Sequence, residues 1–433
     1  MKLTIDKCIY GGAGLARVDG KAVFVPFTLP GELVEAEITK DSGSYANAEL
    51  IEILEASPAR AIAPCQYFGE CGGCHYQHAA YVGQLEIKRK ILLETLERAH
   101  LSELSEINIL HSEPLHYRNR IRLHIDRATS SLCYKKRSSN VNLPVSACPI
   151  AAPILEQALQ ALSAQADTLQ LGRLFEEIEL FTNDNESSLL LSFWTKAGSE
   201  ATKIQLKKLW PLLQIHLPQI SGAAVFSVAQ GKLASRLLTQ AGDATLTYLA
   251  AGEEYRVSIG SFFQVNRFLI DPLVELVAKD ASGSVAWDLY SGAGLFARKL
   301  AAEFQQVIAV EAAPSSVADL RHNLPDNPHR VIASSTLEFL RRSLTKSGTN
   351  QHPRPDFVIV DPPRVGLGKE VTELLSQIRP KHITYVSCDP ATLSRDLKSL
   401  LDSGYHLQQI HMVDMFPQTF HLESVVRLAL LEP

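Results

Sequence analysis

Through residues 3–55 apolar and polar positions alternate with a period of two. The clearest runs are Lys21-Ala22-Val23-Phe24-Val25-Pro26-Phe27 and Glu32-Leu33-Val34-Glu35-Ala36-Glu37-Ile38. Turn-forming residues separate them: Gly11-Gly12-Ala13-Gly14, Asp19-Gly20 and Pro30-Gly31. Several short strands in so short a segment predict a small β-barrel of the OB type. The glycines at 11, 12 and 14 invite comparison with a dinucleotide-binding loop, but no helical pattern follows them, so they read as turns.

Residues 57–64, Ser-Pro-Ala-Arg-Ala-Ile-Ala-Pro, read as a linker. A helical pattern with the basic run Lys88-Arg89-Lys90 spans 79–100. Between 115 and 260, strand-like runs such as Leu189-Leu190-Leu191-Ser192-Phe193-Trp194 alternate with helical ones such as 151–166, without a pattern that assigns a topology. From about 280 the pattern changes to buried strands alternating with helices. Val285-Ala286-Trp287-Asp288-Leu289 runs into the turn Tyr290-Ser291-Gly292-Ala293-Gly294, and a helix follows from Leu295. Val307-Ile308-Ala309-Val310 ends at Glu311, Phe357-Val358-Ile359-Val360 at Asp361, and Ile383-Thr384-Tyr385-Val386 at Ser387-Cys388. This alternation predicts a parallel, doubly wound sheet. The chain is therefore expected to be a multidomain α/β protein: a barrel over 1–56, a central α+β domain over 57–260, and a Rossmann-like domain over 261–433.

Composition narrows the class. Hydrophobic residues make up 46% of the 433, and charged residues 21%, which excludes a disordered or low-complexity chain. No apolar run approaches ~18 residues, so no transmembrane helix is expected, and Lys2 and Asp6 stand where a signal peptide would place apolar residues. A cytoplasmic protein without membrane association is the expectation. The net charge of −5 argues against a uniformly basic nucleic-acid coat but leaves room for a local basic groove. One such stretch is 116–137, where seven basic residues (Arg118, Arg120, Arg122, Arg127, Lys135, Lys136 and Arg137) face one acid, Asp126. Arginines at 118, 120 and 122 share one face of a strand, as a phosphate-contacting stripe would.

The strand ends hold the candidate chemistry, because ligands of such sheets bind at the carboxyl ends of strands. A Gly-x-Gly turn lets the backbone approach a ligand, and Glu311 is placed to accept hydrogen bonds from a ribose diol. A third glycine at the pyrophosphate spacing is missing, which favours a nucleotide cofactor without one. The prolines of Asp361-Pro362-Pro363-Arg364 stiffen the loop that fixes the Asp361 carboxylate at its strand's mouth. Cys388 is placed as a nucleophile, and Glu423 in His421-Leu422-Glu423 as a base. Seven cysteines in a chain of this kind do not suggest a disulfide framework. Cys65, Cys71 and Cys74, with Cys148-Pro149 downstream, supply four soft ligands able to hold zinc or an iron–sulfur cluster. Gly72-Gly73 lets the chain wrap tightly around a bulky cluster. Cys8 and Cys133 have no such partners.

Several of these segments together resemble the RNA uracil-5-methyltransferases: Pro64-Cys65 through Cys71-Gly72-Gly73-Cys74, Tyr117-Arg118-Asn119-Arg120, Ser261-Phe262-Phe263-Gln264-Val265-Asn266, Asp361-Pro362-Pro363-Arg364, Val386-Ser387-Cys388-Asp389-Pro390 and His421-Leu422-Glu423. Residues 1–56 resemble a TRAM domain, an RNA-binding barrel. The pairing of that barrel with the cluster cysteines is more similar to the branch that modifies 23S ribosomal RNA than to the transfer-RNA branch. The resemblance implies a methyltransferase domain over 261–433 that uses S-adenosylmethionine bound by Gln264, Tyr290, Glu311 and Asp361. It implies Cys388 as nucleophile, Glu423 as base, and a [4Fe-4S] cluster on Cys65, Cys71, Cys74 and Cys148. RNA, most of all 23S rRNA, is the implied partner of a monomer. Phe262 and Phe263 are candidates to stack on a base. Where the family often has a polar residue after the Gly-x-Gly turn, this chain has Leu295. The rival readings are a transfer-RNA uracil-5-methyltransferase and a non-catalytic iron–sulfur RNA-binding protein; Cys388 and Glu423 together disfavour the second.

Overall fold

The structure is a computed structural model that describes residues 1–101, 106–228, 235–345 and 352–431. The alternation at the N-terminus builds a six-stranded sheet ordered Lys2–Thr4, Leu33–Asp41, Tyr45–Glu55, Lys21–Pro26, Ala13–Val18 and Lys7–Cys8. Its inward set, which includes Val23, Val25, Val34, Ala36, Ala46 and Ala48, forms a small core of its own. The period of two thus places one face inside and leaves Lys, Glu and Thr outside.

The central region, whose topology the sequence pattern leaves open, is a seven-stranded sheet. Its order is Asn142–Pro144, Leu132–Lys135, Arg120–Ile125, Glu177–Thr182, Leu189–Thr195, Ile220–Ser227 and Leu237–Gly242. Leu189–Thr195 is buried along its whole length, which explains why it reads as a continuous apolar run. It pairs in parallel with Ile220–Ser227 across the helix Ser199–His216, while the other described pairings are antiparallel. Helix Pro153–Gln165 covers this sheet through Ile154, Leu155, Ala158, Leu159 and Leu162.

The third sheet has eight strands, ordered Arg330–Ala333, Phe304–Glu311, Gly283–Leu289, Phe357–Val360, His382–Ser387, Glu423–Leu430, Tyr405–Val413 and Ile107–Leu110. The first five run parallel, as the βα alternation predicts. Glu423–Leu430 is antiparallel to both neighbours. The chain steps outward from Gly283–Leu289 in one direction and then returns to the other side at Phe357–Val360. That reversal opens a crevice beyond the carboxyl ends of these two strands. The last strand, Ile107–Leu110, comes from far earlier in the chain and pairs in parallel with Tyr405–Val413. Helix Tyr81–Arg98, just before it, buries Leu85, Leu92 and Leu96 in the same core as Tyr385, Leu397 and Leu400.

Candidate active site

The Gly-x-Gly turn sits at the crevice. Gly294 has φ +92°, and a Cβ there would lie 2.7 Å from Leu320 Cδ1, so both the conformation and the space require glycine. Tyr290 adopts φ +68°, an uncommon conformation for a bulky residue and one that concentrates at functional turns. Ser291 ties the turn down, with its hydroxyl donating to the Asp288 carbonyl at 2.7 Å and accepting from Val310 N at 3.1 Å. Glu311 spans the crevice floor: Oε2 accepts from Gly292 N at 2.9 Å, and Oε1 accepts from Ala312 N and Ala313 N at 2.7 and 2.6 Å. Leu295 points into the apolar core.

Asp288 is a site residue that the sequence reading passes over. It is fully buried, and neither carboxylate oxygen has a hydrogen-bond partner among the described residues. Burial first, and then the nearby Asp361, push it up to about 7. Burial likewise raises Asp361 to about 7, and Gln264 Nε2 donates to its Oδ2 at 3.5 Å. Three carboxylates and an amide therefore converge where a ligand with cationic and donor groups would sit, which fits the sulfonium, ammonium and ribose hydroxyls of S-adenosylmethionine. An acid inside the apolar run of Trp287-Asp288-Leu289 was the signal available in the sequence.

Cys388 lies between strand His382–Ser387 and helix Pro390–Leu401, whose N-terminus Asp389 caps by accepting from Ala391 N and Thr392 N at 3.0 and 2.9 Å. Burial pushes the thiol up to about 12; Glu423 and Asp361 add to that rise, and Arg364 opposes it. Glu423 opens the antiparallel strand and is 6% exposed. Burial, with Asp361 beside it, raises its carboxyl well above the ordinary range, and Arg364 acts against the rise. Arg364 itself lies 3.3 Å from His421 Nδ1. The structure thus brings Cys388, Glu423, Asp361 and Arg364 into one electrostatic cluster from three separate strand ends.

The loop before Glu423 is held from outside the eight-stranded sheet. Lys88 is buried and paired with Asp414 at 2.6 Å, and its Nζ also donates to the Phe416 carbonyl. Tyr117 donates to the Pro417 carbonyl at 3.1 Å, and His75 N and Tyr76 N both donate to Gln418 O. The run Lys88-Arg89-Lys90 is therefore not a uniformly solvated basic face.

The expected stripe of arginines does share a face, but its members are engaged. Arg120 stacks on Phe181 at 4.1 Å, pairs with Glu179 and donates to Ser261 O. Arg122 stacks on Trp194 at 3.7 Å and pairs with Glu177. Arg118 and Arg122 line a cavity of about 190 Å³ with Cys65, Cys71, Cys74 and Cys148. The sheet thus gathers four cysteines from two distant segments. Gly73 N donates to Cys71 Sγ at 3.4 Å, and the Tyr134 hydroxyl donates to Cys148 Sγ at 3.7 Å. Gly72 lies against the Lys135 carbonyl, where a Cβ would be 3.3 Å away. Among the described residues, no three or more His, Cys, Asp or Glu side chains converge closely enough to form a ready single-ion site. Cys8 and Cys133 are buried elsewhere, and all seven cysteines are free. Of the two phenylalanines before Gln264, Phe263 is in the core and Phe262 is 60% exposed.

Comparison with known proteins agrees with this geometry. Residues 80–430 match the family model for tRNA (Uracil-5-)-methyltransferase, and residues 2–51 match that for the TRAM domain. The chain belongs to the RNA uracil-5-methyltransferase family, with a TRAM domain at its N-terminus. It is 33% identical over 437 residues to an uncharacterized RNA methyltransferase of Aquifex aeolicus, covering 99% of this chain and 98% of that one. It is 31% identical over 424 residues to the 23S rRNA (uracil(1939)-C(5))-methyltransferase RlmD of Shewanella sp. strain ANA-3, covering 96% and 92%. Its fold resembles that of the tRNA (uracil-54, C5)-methyltransferase of Pyrococcus abyssi, solved with S-adenosyl-L-homocysteine, at a TM-score of 0.76 and 23% identity over 99% of this chain and all of that one. The protein is an RNA uracil-C5 methyltransferase that uses S-adenosylmethionine. No helix of the described residues is long and apolar enough to cross a membrane.

Proposed function

We propose that this enzyme methylates C5 of a uridine in 23S ribosomal RNA through a covalent adduct on Cys388. The observation that carries the chemistry is the meeting of Cys388, Glu423, Asp361 and Arg364 at the mouth of the crevice. The preference for 23S RNA rests on the RlmD relatives and on the TRAM domain combined with the four cysteines. The TRAM barrel is taken as an RNA-binding unit over 1–56, the cysteine-bearing domain as 57–260, and the methyltransferase domain as 261–433.

C5 of uracil is too weakly nucleophilic to react unaided. Cys388, as its thiolate, adds to C6, and the ring electrons move to C5 and O4. The Arg364 guanidinium and the N-terminus of helix Pro390–Leu401 favour that thiolate. When bound, S-adenosylmethionine supplies an electrophilic methyl on a sulfonium, which C5 takes. Gln264, Tyr290, Glu311 and Asp361 orient it at the crevice. Glu423 then removes the proton left on C5, and the C6–S bond breaks to restore the ring and release Cys388. A buried carboxylate with a raised pKa is a strong base for that step once ionised. The target must leave its stack or lie in a loop, and Phe262, exposed where Phe263 is buried, is our candidate to stack on an RNA base.

We further infer that Cys65, Cys71, Cys74 and Cys148 hold a [4Fe-4S] cluster that shapes the central domain. Their shared cavity and the lining Arg118, which offsets thiolate charge, support this. The test of the main reading is tritium release from 23S RNA labelled at uracil C5, using anaerobically purified protein. Release that needs S-adenosylmethionine and Cys388 is expected; release from transfer RNA alone would reassign the substrate. Glu423→Gln is expected to accumulate a protein–RNA adduct that survives denaturing gels, and its absence would remove Glu423 from the base role.

A further inference from the structure

The segment that carries Gln264 has no regular structure of its own. Residues 261–265 form neither helix nor strand between strand Glu253–Ser258 and helix Ile270–Ala278. Buried carbonyls in such a segment must find partners elsewhere. Two adjacent residues at the start of strand Arg120–Ile125 supply them. Asn119 Nδ2 donates to Gln264 O at 2.9 Å, Asn119 N to Val265 O at 3.0 Å, and Arg120 Nη1 to Ser261 O at 2.8 Å. Asn119 is fully buried, and its own carbonyl accepts from Thr182 N at 3.0 Å. The same Nδ2 donates to the Tyr248 hydroxyl at 3.2 Å, and Tyr248 packs on Phe263 with ring centroids 4.8 Å apart. Tyr255 also meets Phe263, at 6.2 Å, and donates to Leu295 O at 3.1 Å, just after the Gly-x-Gly turn.

We propose that Asn119 is a positioning residue for S-adenosylmethionine: its side-chain amide holds the Gln264 peptide so that the glutamine side chain stays directed at Asp361 and the cofactor crevice. Gln264 O can only accept, so the atom facing it is the amide nitrogen. That leaves Asn119 Oδ1 buried without a partner among the described residues, which costs stability. Turning the amide would bring its oxygen against the Gln264 carbonyl, so the contact and the cost come together. Without the contact the Gln264 peptide is free to tilt, and Nε2, 3.5 Å from Asp361 Oδ2, loses its aim. The effect rests on the role proposed for Gln264 in binding the cofactor; it does not depend on which RNA is methylated.

The test titrates S-adenosyl-L-homocysteine into the RNA-free full chain by calorimetry, with melting temperatures measured alongside. Asn119→Ala keeps the backbone donor to Val265 and removes the amide, and an affinity about tenfold lower is expected. Asn119→Ser, whose hydroxyl falls short of the amide position, should show the same loss and serves if the alanine variant does not fold. Tyr248→Phe removes the other partner of Nδ2 while keeping the ring on Phe263, so it should lower the melting temperature yet leave the affinity within about twofold. Adding Asn119→Ala to Gln264→Ala should weaken binding no further, since the group being aimed is gone. In turnover, Asn119→Ala should raise KM for S-adenosylmethionine about tenfold, with KM for RNA within about twofold. Unchanged affinity in Asn119→Ala beside a weakened Gln264→Ala would overturn the positioning role. So would equal losses in Asn119→Ala and Tyr248→Phe, which would trace to a loosened core, or losses that add in the double variant. Wild-type affinity in Gln264→Ala would refute the cofactor role of Gln264 itself, and the positioning role with it.

Discussion

Two cysteine environments in this molecule start from the same physics and diverge. Burial pushes Cys388 and Cys74 alike to about 12, and each has one arginine nearby that opposes the rise, Arg364 for the first and Arg118 for the second. The remaining neighbours differ. Around Cys388 stand the carboxylates of Glu423 and Asp361, which make a lone thiolate costly at rest and give a displaced proton somewhere to go. Around Cys74 stand Gln77, whose side-chain hydrogen bond opposes the rise, and the thiols of Cys148 and Cys71, which would repel as separate thiolates and which the proposed cluster would relieve. The same residue type thus stands among carboxylates in one place, which suits the proposed nucleophile, and among thiols in the other, which suits the proposed ligand set.

The comparison breaks most sharply at Cys388→Ala. Turnover should fall by at least about 10⁴-fold in the tritium assay while bound iron, measured by absorbance and iron analysis, stays unchanged. Residual activity near wild type would remove Cys388 from the chemistry. Cys148→Ala should do the reverse. Iron is lost and the melting temperature drops by about 5 °C or more, while Cys388 keeps its reactivity toward iodoacetamide. An iron content equal to wild type would dissolve the ligand set. Smallest is Arg364→Gln, with a rate about tenfold lower at neutral pH. Its pH profile sharpens the contrast. In the wild type, Asp361 at about 7, the raised Glu423 and the Cys388 thiol must all lose protons, so the rate climbs as pH rises from 6 towards 9. Without the guanidinium the thiolate is harder to form, so the climb moves to higher pH. A profile that keeps its midpoint would deny Arg364 that role.

The strands of the third sheet were legible in sequence because each is a short apolar run ending in a distinctive residue. Val360 into Asp361 and Val386-Ser387 into Cys388 are found as read, and the turn from Tyr290 lies where the pattern put it. Periodicity reports burial along one element, and it does so well for the barrel and for helix Tyr81–Arg98. It is silent on which distant elements meet. The burial of Lys88 against Asp414, 326 residues away, has no local signature and reads as part of a basic run. The arginines at 120 and 122 show the same limit: spacing places them on one face, but not the Phe181 and Trp194 rings or the Glu179 and Glu177 carboxylates that occupy them. The four cysteines were readable as a set because three cluster in sequence, whereas Asp288, hidden in its strand, was passed over.

The edge strand Ile107–Leu110 imposes an order on how this chain is made. Its partner residues run from Ile410 to Val413, so about a hundred residues into synthesis the ribosome has delivered a strand whose pairing surface does not yet exist. At roughly 5–20 residues per second, the wait is on the order of 15–60 s. The barrel, with all six strands and its own core upstream, can close in that interval. Helix Tyr81–Arg98 cannot, because the apolar face it carries is completed by Tyr385, Leu397 and Leu400. A nascent chain of this protein therefore emerges with a finished barrel and an unsatisfied hydrophobic neck, and truncation before Tyr385 should leave that neck as the site where chaperones bind and aggregation begins.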